Sequence, residues 1–345
     1  MNLDVRAGRV MRHLKSRLAI AALVSLPMFG CTDAGGTEED ELVADGLVDD
    51  ELAIDQAEIA GVVNTSPDYL VVYNNNIENM LPVSCDAGDW NKLFNYIKAQ
   101  AKSPDIFVTQ QIRNTAQLDQ LTARMTNELP GTYAGVIAVA SPGSMGYTST
   151  CGKLKNQQTN AVIYRTDRFT YEAVTRWHSD APDNWSNGTG GCRNLDDTPT
   201  SQDRVENVGI RLYDRVAKQR VSVASIHWPT QTWYGPKCAD ENIKEANSAI
   251  DTLGGTLKIV AGDANTSKGT EGWWNDAISF GFRDPIAETC PSSGCPDSTS
   301  TNGTRRIDFM LVKGGHGFSG AKTINESSTG GTYSDHRALR ANVYY

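Results

Sequence analysis

Histidine is scarce in this chain, five among 345 residues, and no two cysteines stand as a CxxC pair. These absences argue against a structural zinc site, whose ligands usually come in close pairs. No apolar run reaches the roughly 20 residues that a membrane-spanning helix needs. The nearest approach, "LAIAALVSLPMFG" at 18–30, has thirteen and follows Arg6, Arg9, Arg12, Lys15 and Arg17. Lysine and arginine are missing altogether from 32–66, which holds eleven acids. A segment of that composition buries too little apolar surface to order itself and reads as a disordered linker or pro-segment. The leader carries +4 and the acidic segment −11, so of −9 overall only −2 is left to residues 67–345. A nearly neutral body argues neither for nor against a polyanionic substrate.

A basic start, a short apolar stretch and a small residue before a break are the marks of a secretory leader over 1–31. The "MFGC" ending is similar to a bacterial lipobox, in which the cysteine, here Cys31, becomes the lipidated N-terminus. Met28 is a weak match at the first lipobox position. The expectation is an exported chain, either a cell-surface lipoprotein held only by its lipid or a secreted protein. Setting Cys31 aside leaves six cysteines, an even number that suits disulfides in an exported protein. Cys290 and Cys295 flank the turn-forming "PSSG" and are the expected local pair.

Residues 67–345 suffice for one large domain. Strand-like runs include "YLVVYNNNI", "DIFVTQQI", "NAVIYR", "ENVGIRLY", "RVSVASIHW", "TLKIVAGD", "RIDFMLV" and "ALRANVYY". Between them, Trp90, Leu93, Phe94 and Ile97 repeat as one helical face, Leu118, Leu121, Met125 and Leu129 as a second, and Ile243, Ala246, Ile250 and Leu253 as a third. Strands dominate late in the chain, so mixed sheets are expected. Residues 178–204, rich in Gly, Asn and Asp, read as a long surface loop.

Several strands end alike, in ligand-capable polar residues: Asn76, Gln111, His227, Asp263 with Asn265, Asp308, and Asp335 with His336. Singly, each has a plain explanation, since Asn and Asp make turns and a lone His is usually structural. Together they supply what metal-assisted phosphoester cleavage requires: oxygen ligands for a hard cation, a base for water, and groups to stabilise phosphorane-like charge.

In this order the runs resemble the motifs of the endonuclease/exonuclease/phosphatase superfamily, which includes DNase I, abasic-site endonucleases, bacterial sphingomyelinases and inositol polyphosphate phosphatases. "VVYNNNIENM", "PDIFVTQQI", "NAVIYRTDRF", "VSVASIHWP", "IVAGDANTS", "RRIDFMLV" and "YSDHRAL" match seven motifs across 67–345, with Ile226 where Thr is usual. The resemblance implies an α/β (α+β) fold, a DNase I-like four-layer α/β/β/α sandwich of two mixed sheets. It implies that His227 and the Asp308–His336 pair polarise or protonate the phosphate from two sides. Asp263 would align or deprotonate water, and Asn265 would hold the phosphate. Asn76, Gln111 and Asp335 would surround Mg²⁺, or Mn²⁺ or Ca²⁺.

Two departures remove negative charge. Gln111 stands where the family has its metal-binding Glu, and Gln158 where DNase-type members place a Glu that orients the histidine. Glu78, two residues past Asn76 and so on its face of a strand, offers a repair of the lost charge. The sequence thus points to an exported, divalent-metal-dependent phosphodiesterase, foremost an endonuclease acting on nucleic acid. The alternatives are a sphingomyelinase-like phospholipase, a phosphomonoesterase, and a surface binding module that lost its metal. Trp228, Trp233 and Tyr234, just after His227, would dock lipid, stack on bases, or simply pack under a loop. Nothing in the sequence speaks to oligomeric state.

Overall fold

Runs of β-branched and aromatic residues fall into strands, and the amphipathic repeats into helices that cover them. The computed structural model describes residues 61–78, 90–143, 157–195, 202–269, 272–289, 298–300 and 304–345. The leader, Cys31, most of the acidic segment and the Cys290–Cys295 pair lie outside the described residues. In chain order the elements are β1 (Tyr69–Asn76), α1 (Trp90–Lys98), β2 (Ile106–Ile112), α2 (Thr115–Glu128), β3 (Tyr133–Ile137), β4 (Thr159–Arg165), β5 (Phe169–His178), β6 (Asp180–Asn184) and β7 (Thr189–Asn194). They continue with β8 (Glu206–Asp214), β9 (Gln219–His227), α3 (Ala239–Leu253), β10 (Leu257–Asp263), α4 (Trp273–Ser279), α5 (Pro285–Thr289), β11 (Asp308–Lys313), β12 (Gly317–Ile324), α6 (Glu326–Thr329) and β13 (Ala338–Tyr344).

One sheet has the order β12-β13-β1-β2-β4-β3 and the other β11-β10-β9-β8-β5. Each is mixed, with one parallel pair: β1 with β2, and β9 with β10. Strand alternation sorts the side chains into layers. Leu70, Val72, Ile106, Val108 and Val162 meet Ile210, Val223, Ile259 and Met310 between the sheets. On the other face of the first sheet, Val71, Tyr73, Phe107 and Ile163 pack on α1 and α2 through Trp90, Leu93, Phe94, Leu118, Leu121 and Met125. On the far face of the second, Ala224, Ile226, Val260 and Leu311 pack on α3 and α4 through Ile243, Ala246, Ile250 and Trp273. The result is the four-layer α/β/β/α sandwich that the sequence motifs imply.

Two boundaries differ from the sequence reading. The described chain begins at Gly61, ahead of Pro67, and Asn64 is fully buried, its amide donating to Asp105 Oδ2 at 2.7 Å. The acids of the linker end at Glu58, so the uncharged "GVVNTS" belongs with the fold. Within 178–204, β6 and β7 form a hairpin instead of a loop, its polar, glycine-rich strands lacking the alternation that marks a half-buried strand. The strands β3, β5 and β12 escaped the sequence reading for a related reason: their residues are largely half-exposed.

A disulfide joins Cys192 of β7 to Cys238, just before α3, with Cα–Cα 5.6 Å and a sequence separation of 46. Isolated two-stranded ribbons are marginal in water, so this hairpin depends on what it is tied to. Closing a loop of this length stabilises the fold by about 4 kcal/mol in the chain-entropy account. Cys192→Ser should lower unfolding stability by about 2–4 kcal/mol in a urea titration, and an unchanged midpoint would show that the bridge does not form.

Candidate active site

The strand directions decide where the chemistry gathers. β1, β2, β9 and β10 all run toward one end of the sandwich, while β11 and β13 start from it. In the five-stranded sheet His227, Asp263 and Asp308 are register partners on three adjacent strands, so their side chains share a face. That face is the inner one, because Val223, Ile259 and Met310 on the same strands line the inter-sheet core. The core therefore turns polar at this end. Gly262, directly before Asp263, has φ +153°, and a Cβ there would lie 1.9 Å from Ile226 O, so glycine is required by the close approach of β9.

Asp263 is almost wholly buried, and its carboxylate is shared. Oδ2 accepts from Asn76 Nδ2 at 3.1 Å and lies 3.5 Å from His227 Nε2 and 3.6 Å from His336 Nε2; Oδ1 accepts from Asn265 N at 2.8 Å. His336 Nδ1 pairs with Asp308 Oδ2 at 2.9 Å. Burial alone would depress His336, but Asp308 and then Asp263 override it and hold the ring well above the ordinary imidazole range. His227 goes the other way: burial, then Arg204, then His336, push it well below that range. Burial likewise raises Asp263, to about 7. One imidazolium and one neutral imidazole thus face the same carboxylate, which is how environments divide acid from base.

The opening residues of the site behave differently from a simple strand. Asn76 Oδ1 accepts from Glu78 N at 3.0 Å, an Asx-type turn that gives Glu78 φ +51° and removes it from β1. The i, i+2 argument that placed Glu78 on the face of Asn76 therefore does not apply, although Glu78 is buried. By alternation Gln110 faces the inner layer, where its amide donates to Asn74 Oδ1 and Ser225 Oγ, both at 3.0 Å. Gln111 would face away. A register break between Thr109 and Ile112, with Gln111 at φ +62°, turns it aside.

Gln111 Oε1 then accepts from Gln158 Nε2 at 2.8 Å. Gln158 is thus a partner of Gln111 and not the orienter of His227, whose Nδ1 has no hydrogen-bond partner among the described residues. The ring is placed from its backbone instead, where His227 N donates to Asn207 Oδ1 at 2.9 Å. Three of the five non-glycine residues with positive φ among those described, Glu78, Gln111 and Asn265, belong to this end of the sandwich. Such strain persists only where the surroundings impose it, and it gathers at functional sites.

Asn265 donates from Nδ2 to Trp228 O at 2.8 Å, so part of its amide is spent on shaping the loop. Asp335 is half-exposed at the rim, its Oδ1 3.7 Å from His336 Nε2. Trp228 is buried edge-to-face against Trp273 and has no part in docking. Arg204, from a short turn at 203–205, acts on His227 and was missed in the sequence because it sits in a stretch with no periodicity.

Among the described residues, two acid and histidine groups bring ligand atoms within 4.8 Å of one another: Asp263, Asp308 and His336, and separately His178, Asp203 and Glu206. Asp308 Oδ1 is buried with no hydrogen-bond partner among the described residues. An unmatched carboxylate oxygen beside further oxygen donors fits a hard divalent cation. Asn76 and Asp335 adjoin this group through Asp263 and His336, whereas the Gln111 oxygen accepts from Gln158; all three are residue types that ligate a hard cation.

The opposed histidine shifts are directly testable by imidazole NMR titration of metal-free protein. His227 should stay neutral well below pH 6.5 and His336 charged well above it, with assignments from His→Asn variants. Asp308→Asn should bring His336 down toward the ordinary range. Ordinary titration of both rings would contradict the geometry.

No family model and no curated protein matches the chain. Solved structures do. The human Nocturnin catalytic domain with bound sulfate aligns at TM-score 0.56 and 15% identity, over 81% of this chain and 95% of that one. An endonuclease/exonuclease/phosphatase from Bacteroides vulgatus aligns at 0.55 and 14%, over 80% and 98%. The mannosyl-6-phosphatase Bt3783 of Bacteroides thetaiotaomicron aligns at 0.53 and 17%, over 80% and 100%. At these identities the likeness is one of architecture, and this chain has the fold of the endonuclease/exonuclease/phosphatase superfamily.

Proposed function

We propose that the protein is a divalent-metal-dependent phosphoester hydrolase, acting foremost as an endonuclease on nucleic acid. The observation that carries this reading is the in-register row of His227, Asp263 and Asp308 with His336 joined to both aspartates. A base, a cation and an unmatched carboxylate oxygen at one buried sheet end serve no evident packing purpose. Asp263, raised to about 7, is suited to take a proton from an attacking water near neutral pH. The His336 imidazolium, held by Asp308, stabilises charge on the phosphoryl oxygens and can return a proton to the leaving oxygen. Neutral His227 polarises the phosphate from the other side, with Arg204 behind it. Asn76 fixes Asp263, and Asn265 fixes the turn that follows it.

A Mg²⁺, Mn²⁺ or Ca²⁺ ion held by Gln111, Asp335 and their neighbours would supply further positive charge to the phosphoryl oxygens. We also propose, from the leader and Cys31, that the protein is exported, either as a cell-surface lipoprotein attached only through lipid or as a secreted protein.

A panel of plasmid DNA, RNA, sphingomyelin and sugar or inositol phosphates, each with Mg²⁺, Mn²⁺, Ca²⁺ or chelator, tests the activity. His227→Ala and His336→Ala should each lower the rate by about 10²–10⁴. If no phosphoester is turned over with any ion, the protein is a binding module. Hydrolysis of phosphomonoesters alone would make it a phosphatase.

The metal reading has its own test in calorimetric titration of the ion. Gln111→Glu restores a carboxylate to which Gln158 can still donate, and should tighten binding by about tenfold, or 1.4 kcal/mol. Gln111→Leu removes the oxygen and should weaken it. If Gln111→Leu titrates like wild type, Gln111 is not a ligand.

A further inference from the structure

The chain leaving His227 and the β6–β7 hairpin are clamped together at several points. Cys192 of the hairpin is bonded to Cys238. Lys237 Nζ donates to Gly188 O at 2.8 Å and lies 5.7 Å from the Tyr234 ring. Tyr234, at φ +53°, lays its ring on Gly188, where a Cβ would come within 2.4 Å of it. Trp233 packs against the small core of Ala181, Leu195 and Val205 on one side. On the other it meets Trp185 from the hairpin turn, ring centroids 4.5 Å apart and planes tilted by 39°.

These clamps hold the hairpin in place and present the Trp185 indole, 39% exposed, at its turn. Trp233 follows His227 by six residues, so its Cα lies within about 20 Å of the histidine's. That is at most about six nucleotides along a strand, at roughly 3.4 Å per base.

We propose that Trp185, backed by Trp233, forms a fixed stacking platform for bases of a single-stranded nucleic acid whose scissile phosphate lies at His227 and His336. The proposal rests on the phosphodiester-hydrolase reading and names its substrate class. Three observations favour a base over a lipid. The platform is continuous with the catalytic end through residues 228–233. Cationic, exposed Lys237 stands at its foot, which suits a phosphate backbone. Around Trp185 stand Asn184, Ser186, Asn187 and Thr189, hydrogen-bonded among themselves, so no aliphatic group accompanies the indole. A membrane-inserting tip needs a wider apolar face, whereas one exposed ring suffices to stack a base and does so with little regard to sequence.

The test is fluorescence anisotropy of a labelled single-stranded oligonucleotide with the full chain in chelator, where no cleavage occurs. Trp185→Ala should weaken binding about 5- to 100-fold, and Trp185→Phe should restore most of it. Trp185 is exposed, so its variants should fold. Cys192→Ser with Cys238→Ser should weaken binding as well, by freeing the hairpin. Turnover of the small diester bis(p-nitrophenyl) phosphate should be unchanged in Trp185→Ala, because that substrate does not reach the platform. Oligonucleotide binding that is absent in wild type, or equal in Trp185→Ala, overturns the platform. So does a loss in Trp185→Ala of association with phospholipid vesicles in its place. Absence of diester turnover in wild type would instead overturn the catalytic reading, and the binding measurement would still decide the platform.

Discussion

Asp263 Oδ2 receives a hydrogen bond from Asn76 in the six-stranded sheet and faces His227 and His336 at 3.5 and 3.6 Å. Its own strand belongs to the five-stranded sheet. A single buried carboxylate is thus the point where both sheets and the segment before β13 are held in mutual register. Burying such a charge costs several kcal/mol unless it is paired and hydrogen-bonded, so each of its neighbours is constrained in turn. Asn76 must end β1 where it does, Gly262 must let β9 approach, and His336 is drawn toward its charged form. Ser334 Oγ, which donates to Asn76 O at 2.8 Å, and Asn75, which donates to His336 O, complete the lock from the other side.

The opposite end of the sandwich supplies a control. There Asp105, Arg165, Arg168 and Asp214 are buried together, with Arg165 Nη1–Asp105 Oδ1 at 2.7 Å, Arg168 Nη1–Asp105 Oδ2 at 3.2 Å and Arg168 Nη2–Asp214 Oδ2 at 2.7 Å. Asn64, the Val71 amide and the Tyr345 hydroxyl fill further lone pairs. Every carboxylate in that cluster meets a guanidinium, which is what a structural buried network requires. At the Asp263 end, by contrast, Asp308 Oδ1 and His227 Nδ1 are left without partners among the described residues. The same chain satisfies its charges at one end and not at the other. That asymmetry sets the second end apart as the candidate site.

Much of this was legible in the sequence because it depends on local patterns. The alternation in "YLVVYNNNI" places Asn76 on the inner face, and a strand ending in "AGD" carries its acid to the same layer. What escaped depends on tertiary contact or on a break in period. The bulge at Gln111 is invisible in a run of seven buried strand residues. The turn at Glu78 is made by the Asn76 side chain, through Oδ1, at the end of a run that reads as continuous strand. Trp228 and Trp233 are five residues apart and look equivalent, yet one is packed on Trp273 and the other lies under an exposed indole. Arg204 is brought to His227 by a segment whose composition says only that it is polar.

The two departures from the superfamily pattern, read separately in the sequence, meet in space. Gln158 donates to Gln111 at 2.8 Å, so the amides at these positions form one contact. Two carboxylates at such a distance would repel unless a proton or a cation lay between them. Two amides need neither, because one supplies the donor and the other the acceptor. The neutral pair is therefore self-consistent, and a single Glu at position 111 would remain compatible with the donor from Gln158. Negative charge in the site is then concentrated on Asp263 and Asp308, opposite the His336 cation. In the proposed chemistry this end works from that balance, and Gln111 offers it an oriented dipole in place of a charge.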